Sequence, residues 1–72
     1  MQIDGITYLL SQEENGSQGV QPYSQADMEE EFTVEQRAEL AAGRVVVKQY
    51  RFSLIRFLDM GVAAVAAMKA DA

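Results

Sequence analysis

At 72 residues, with six basic and eleven acidic side chains and a formal charge of −5, the chain has room for one acidic domain. It contains neither cysteine nor histidine, which excludes disulfides, the usual zinc, iron–sulfur and haem ligand sets, and any serine activated by an imidazole. A chain this short buries only roughly 60% of the surface it exposes when unfolded, so a partner chain is its remaining source of extra stability.

Ile3 to Leu10 is rich in β-branched and aromatic residues and predicts a strand. The segment from Glu13 to Gly19 carries an Asn15-Gly16 turn signal with a second glycine behind it. Val20 to Tyr23 then returns as a short strand. Pro22 has no N–H for a ladder, so this strand must lie at an edge or in a bulge. Ser24 opens a helical signature, with Asp27 three positions on as a variant capping box and acids that suit the positive end of the helix dipole. Thr33-Val34-Glu35-Gln36 is a standard box, and the helix from Val34 to Ala42 has Gly43 to close it.

Beyond Gly43 two periodicities compete. Val45 to Tyr50 has the composition of a third strand, after which Ser53 caps an apolar helix from Leu54 to about Lys69. Yet Val47, Tyr50, Leu54, Phe57, Gly61, Ala64 and Met68 also fall on one seam of threes and fours, as in a single helix from Arg44 to Lys69. Three consecutive valines oppose that helix by ~0.5 kcal/mol each. The expected fold is therefore α+β: an N-terminal β-hairpin, short acidic helices, a third strand and an apolar C-terminal helix. A mainly helical hairpin is the alternative.

Charge divides the chain. Up to Gly43 nine acids face Arg37 alone, a balance of −8; from Arg44 onward five bases face two acids, a balance of +3. The basic part is too sparse to neutralise a run of phosphates, so direct nucleic-acid binding is not expected. The acidic cluster Asp27, Glu29, Glu30 and Glu31 is the candidate surface for a basic partner protein, against the plainer reading of a solvated helix start. Within it Met28 and Phe32, four apart, read as core anchors. A helical glutamate run splays its side chains around the axis, so no metal site is expected beyond weak, non-specific association. No cofactor is implied.

Catalysis has little to work with. The hydroxyls of Thr7, Ser11, Ser17, Ser24, Thr33 and Ser53 have no histidine beside them, and Gly16 and Gly19 are not followed by the lysine of a phosphate loop. The predicted C-terminal helix is more informative. Leu54, Phe57, Gly61, Ala64 and Met68 form one apolar seam beside Leu58 and Val65 on another, together wider than a surface helix usually buries. Self-association as a homodimer, or docking of a partner, is expected through these residues. Met60 to Met68 falls far short of the ~20 residues of a membrane span, and the N-terminus lacks a signal-peptide pattern, so the expectation is a soluble, cytoplasmic chain. The expected function is a non-catalytic protein-binding module, an adaptor or inhibitor, of a kind common among phage and mobile-element products. The alternative is a structural subunit of a homo-oligomer or larger assembly.

Overall fold

The computed structural model describes residues 2–3 and 5–70. In chain order its elements are β1 (Gln2–Ile3), β2 (Ile6–Glu13), β3 (Gln18–Ser24), α1 (Gln25–Glu31), α2 (Val34–Ala41), β4 (Val46–Tyr50), β5 (Ser53–Asp59) and α3 (Val62–Ala70). The fold is α+β. Strands β3, β2, β5 and β4 lie side by side in one antiparallel sheet, and β1 pairs with the start of β2.

The N-terminal hairpin forms as its turn residues dictate. Gly16 N–H donates to Glu13 O (3.0 Å), Glu13 N–H donates to Ser17 O (2.9 Å), and Gly16 adopts a φ of +92°. This is a three-residue connection closed by a left-handed glycine. β3 pairs only with β2, so Pro22 sits in an edge strand, as its missing N–H requires. The predicted first strand is interrupted near its start: Gly5, at φ +78°, separates β1 from β2, and Asp4 lies outside the described residues.

Both predicted capping boxes are present. Ser24 Oγ accepts from Asp27 N–H (3.1 Å) and Thr33 Oγ1 from Gln36 N–H (3.1 Å), with the reciprocal side-chain bonds also made. At the far end of α2, Gly43 at φ +81° lets its own N–H reach Leu40 O and Arg44 N–H reach Glu39 O. That pair of bonds is a Schellman closure, which satisfies two carbonyls the helix leaves free.

The C-terminal prediction fails in its first half. The residues from Ser53 to Asp59 are strand β5, not helix, and Ser53 caps nothing. A hairpin brings β5 back against β4, with Tyr50 paired to Ser53 across the two residues Arg51 and Phe52. Arg51 holds φ at +39° and Phe52 does not go positive, so an arginine occupies a place that usually falls to glycine. Apolar residues at 54, 55, 57 and 58 satisfy a helical period because β5 is an interior strand with apolar groups on both faces. Leu54, Phe57 and Leu58 therefore share no helical seam with Ala64, Val65 and Met68. Gly61 lies before α3, not inside it, at φ +80°.

The core sits between the sheet and the first two helices. Leu9, Met28, Phe32, Leu40, Val46 and Phe57 form its buried cluster, with Tyr23 and Ile55 packed against it. Register explains who faces inward: Val46 and Ser11 both pair with Phe57, and Leu9 pairs with Asp59. The rings of Phe32 and Phe57 meet edge to face at 5.2 Å, and Tyr23 stands edge-on to Phe32 at 5.7 Å. On the opposite face Ile6, Tyr8, Leu10, Leu54 and Leu58 are only half-buried. Val65 of α3 is buried outside the main cluster.

Candidate functional site

A lysine ties the end of the first acidic helix to the sheet, beside the apolar core that packs both helices there. Lys48, in β4, donates from Nζ to the main-chain oxygen of Glu31 and lies 3.6 Å from its carboxylate. The same ammonium stands 4.8 Å from the centre of the Phe32 ring and 5.3 Å from that of Tyr50. Its side chain is 19% exposed, so these contacts act with little solvent between them. A cation at the last carbonyls of α1 also meets the negative end of that helix. Arg37 closes the next corner, donating from Nη1 to Phe32 O (2.8 Å) between the two helices.

The four candidate carboxylates do not form one flat patch, because successive helical positions diverge by about 100°. Asp27 is engaged by the Ser24 backbone in the capping box, and Glu31 is engaged by Lys48. Glu30 is exposed and makes no ion pair or hydrogen bond among the described residues, and the same is true of Glu35 at the start of α2. Glu29 is likewise unpaired and turns toward a cleft that the sequence does not reveal. Tyr23, packed beside this acidic edge, has its phenol pushed above the ordinary value of 10.0, first by burial, then by Tyr50, Glu31 and Asp27.

The cleft measures about 470 Å³ and opens where α1 and α2 overhang the end of the sheet. Gln25, Met28 and Glu29 form one wall, and Arg37, Leu40 and Ala41 form the other. Thr7 and Asp59 line it from the sheet, with Asp59 Oδ1 accepting from Gly61 N–H (2.9 Å). Its lining is thus part apolar, part acidic, with one guanidinium already committed to a carbonyl. No family model, curated protein or solved structure matches the chain. Function must therefore be read from the surface alone.

Three of the six hydroxyls are spent on structure. Ser24 and Thr33 cap helices, and Ser11 Oγ donates to Gly19 O (3.2 Å) while accepting from Gln21 Nε2 (3.3 Å). No three potential ligand side chains gather around a common point among the described residues, and no helix of theirs is long and apolar enough to cross a membrane. Of the residues predicted at an oligomer interface, Phe57 and Val65 are each 2% exposed, whereas Ala64 and Met68 are exposed and Leu54, Leu58 and Gly61 half-buried.

Sequence reasoning missed the second hairpin and its tip. Phe52 is 94% exposed, next to the left-handed Arg51 and the partly exposed Tyr50. Neither Gly nor Asn marks that turn, so no local signal announces it.

Proposed function

We propose that this chain is a non-catalytic protein-binding module whose acidic helices engage a basic surface on another protein. The observation that carries the reading is a set of carboxylates with no internal task. Glu29, Glu30 and Glu35 are exposed on α1 and α2 without an ion pair, whereas the neighbouring Glu31 and Glu39 are matched to Lys48 and Arg44. Exposed carboxylates contribute little to folding, so their density on two helices that each begin with a capping box is better suited to steering a cationic partner. A homo-oligomeric subunit is the second reading, favoured by the exposed Phe52.

The test replaces Glu29, Glu30 and Glu35 by Gln and leaves Glu31 to hold Lys48. A basic protein recovered with the parent chain should dissociate as salt rises, and the triple variant should bind it more weakly with a flatter salt dependence. Equal binding by parent and variant across the salt series refutes the electrostatic account.

A further inference from the structure

We infer that two copies of this chain join edge to edge through β4, antiparallel about a two-fold axis at Val47, so that the sheet of one copy continues into the other. The contact goes beyond the acidic-surface reading and uses none of its carboxylates, so the triple glutamate variant should dimerise as the parent does.

The outer strands of the sheet, β3 and β4, are protected unequally. β3 carries Pro22, whose ring nitrogen has no hydrogen to offer a further strand. β4 has no such block. It contains neither proline nor glycine, and it pairs with β5 residue for residue, without a bulge. Its one charge is Lys48. An outward lysine commonly guards an edge strand, but this ammonium is turned onto Glu31 and the Phe32 ring. An edge without proline, bulge or outward charge is a template for another strand.

Hydrogen-bond parity fixes which groups wait at that edge. The two-residue turn closes on Tyr50 and Ser53, a pair that exchanges both of its bonds. Alternation then turns the main chain of Val46 and Lys48 toward β5 and that of Val47 and Gln49 outward. Among the described residues, the outward N–H and C=O groups of Val47 and Gln49 have no hydrogen-bond partner. A second copy matches them. Antiparallel pairing about Val47 sets Val47 against Val47 and Val45 against Gln49 in both directions, so each outward group meets its complement. The side chains fit the same register. Val46 is buried toward the helices, so Val45 and Val47 project to the open face, where they are 51% and 48% exposed and the pairing would cover them. Moving the axis by one residue to Lys48 would set two lysines directly opposite each other, which disfavours that register. One short edge per copy is a small interface, which places the association in the micromolar-to-millimolar range.

Mass and amide exchange read the contact together. Sedimentation equilibrium from micromolar to millimolar concentration should show a monomer–dimer equilibrium. Over the same range the Val47 and Gln49 amides should slow their hydrogen exchange several-fold, with no such change along β3. Val47→Pro removes the donor at the axis without touching the ladder to β5, and Val47→Lys sets two ammoniums face to face there. Each should weaken dimerisation about 30-fold or more, while circular dichroism shows the fold retained. The chain has no cysteine, so Val47→Cys gives a readout independent of both variants. Across the axis its Cα atoms would lie about 5.5 Å apart, within disulfide reach, whereas those of Gln49→Cys would be about 13 Å apart along the strands. Under mild oxidation Val47→Cys should therefore crosslink to itself and Gln49→Cys should not. A parent that stays monomeric at millimolar concentration overturns the proposal, as does a dimer that Val47→Pro and Val47→Lys leave intact. Gln49→Cys crosslinking as readily as Val47→Cys, or edge amides protected only by an added extended peptide of other sequence, overturns it equally.

Discussion

The two faces of the sheet carry similar numbers of apolar side chains but are used very differently. On the helical face, α1 and α2 press Met28, Phe32 and Leu40 onto Leu9, Val46 and Phe57, and each of these is at most 8% exposed. On the other face Ile6, Tyr8, Leu10, Leu54 and Leu58 remain half-buried. Packing density thus concentrates on one side. The side chains there have fixed partners, so truncation leaves a hole, whereas the half-buried face has less to lose.

Phe57→Ala and Leu58→Ala test that contrast on adjacent residues of one strand. The first should cost about 3–5 kcal/mol, a third or more of the roughly 4–10 kcal/mol expected for a chain of this length. The second should cost about 1–2 kcal/mol, in proportion to the smaller area it buries. Urea unfolding followed by circular dichroism measures both, and equal losses would remove the distinction between the faces.

Lys48→Met sharpens the same comparison at the edge of the dense face. It keeps the apolar stem but deletes the bond to Glu31 O and the ring contacts with Phe32 and Tyr50. A loss of about 1–2 kcal/mol is expected, insensitive to salt because the ammonium is largely covered. A loss that vanishes in high salt would reduce Lys48 to an ordinary surface ion pair.

At the hairpin tip the sign reverses. Arg51→Gly relieves a left-handed conformation that costs an L-residue roughly 1–2 kcal/mol, so the variant should be more stable by up to about 1 kcal/mol after the added chain entropy of glycine. Thermal unfolding reads the gain directly.

The smallest effect concerns Tyr23, at the border of the dense face. Its phenol titrates above 10.0 in the folded chain, so the folded state retains the proton that the unfolded state gives up. The stabilisation is complete below pH 10.0 and is lost as pH rises through the elevated folded value. Tyr23→Phe should therefore be close to neutral at pH 7, because the exposed bond to Gln21 Oε1 contributes little. Above pH 10.0 it should flatten the alkaline decline in stability. An unchanged alkaline limb would assign that decline to other groups.

Local chemistry was legible wherever a short motif closes its own hydrogen bonds. Asn15-Gly16, the boxes at Ser24 and Thr33, and the terminator at Gly43 each satisfy backbone groups within a few residues, so their outcome needs no distant partner. Pro22 announced an edge strand for the same reason, and the spacing of Met28 and Phe32 announced their burial. These determine the α+β class, both acidic helices and the order of the first three-quarters of the chain. The segment from Ser53 to Asp59 was different in kind. Its apolar positions fit a helix and a two-sided strand alike, and only pairing with β2 on one side and β4 on the other selects the strand. The cleft is likewise a product of docking, because Thr7, Glu29, Arg37 and Asp59 come from four separate elements. The exposed tip follows from the same pairing: once β4 and β5 are joined in register, two residues must turn the chain, and those residues are Arg51 and Phe52. Long-range strand pairing is a property of the whole sheet, and no window of sequence contains it.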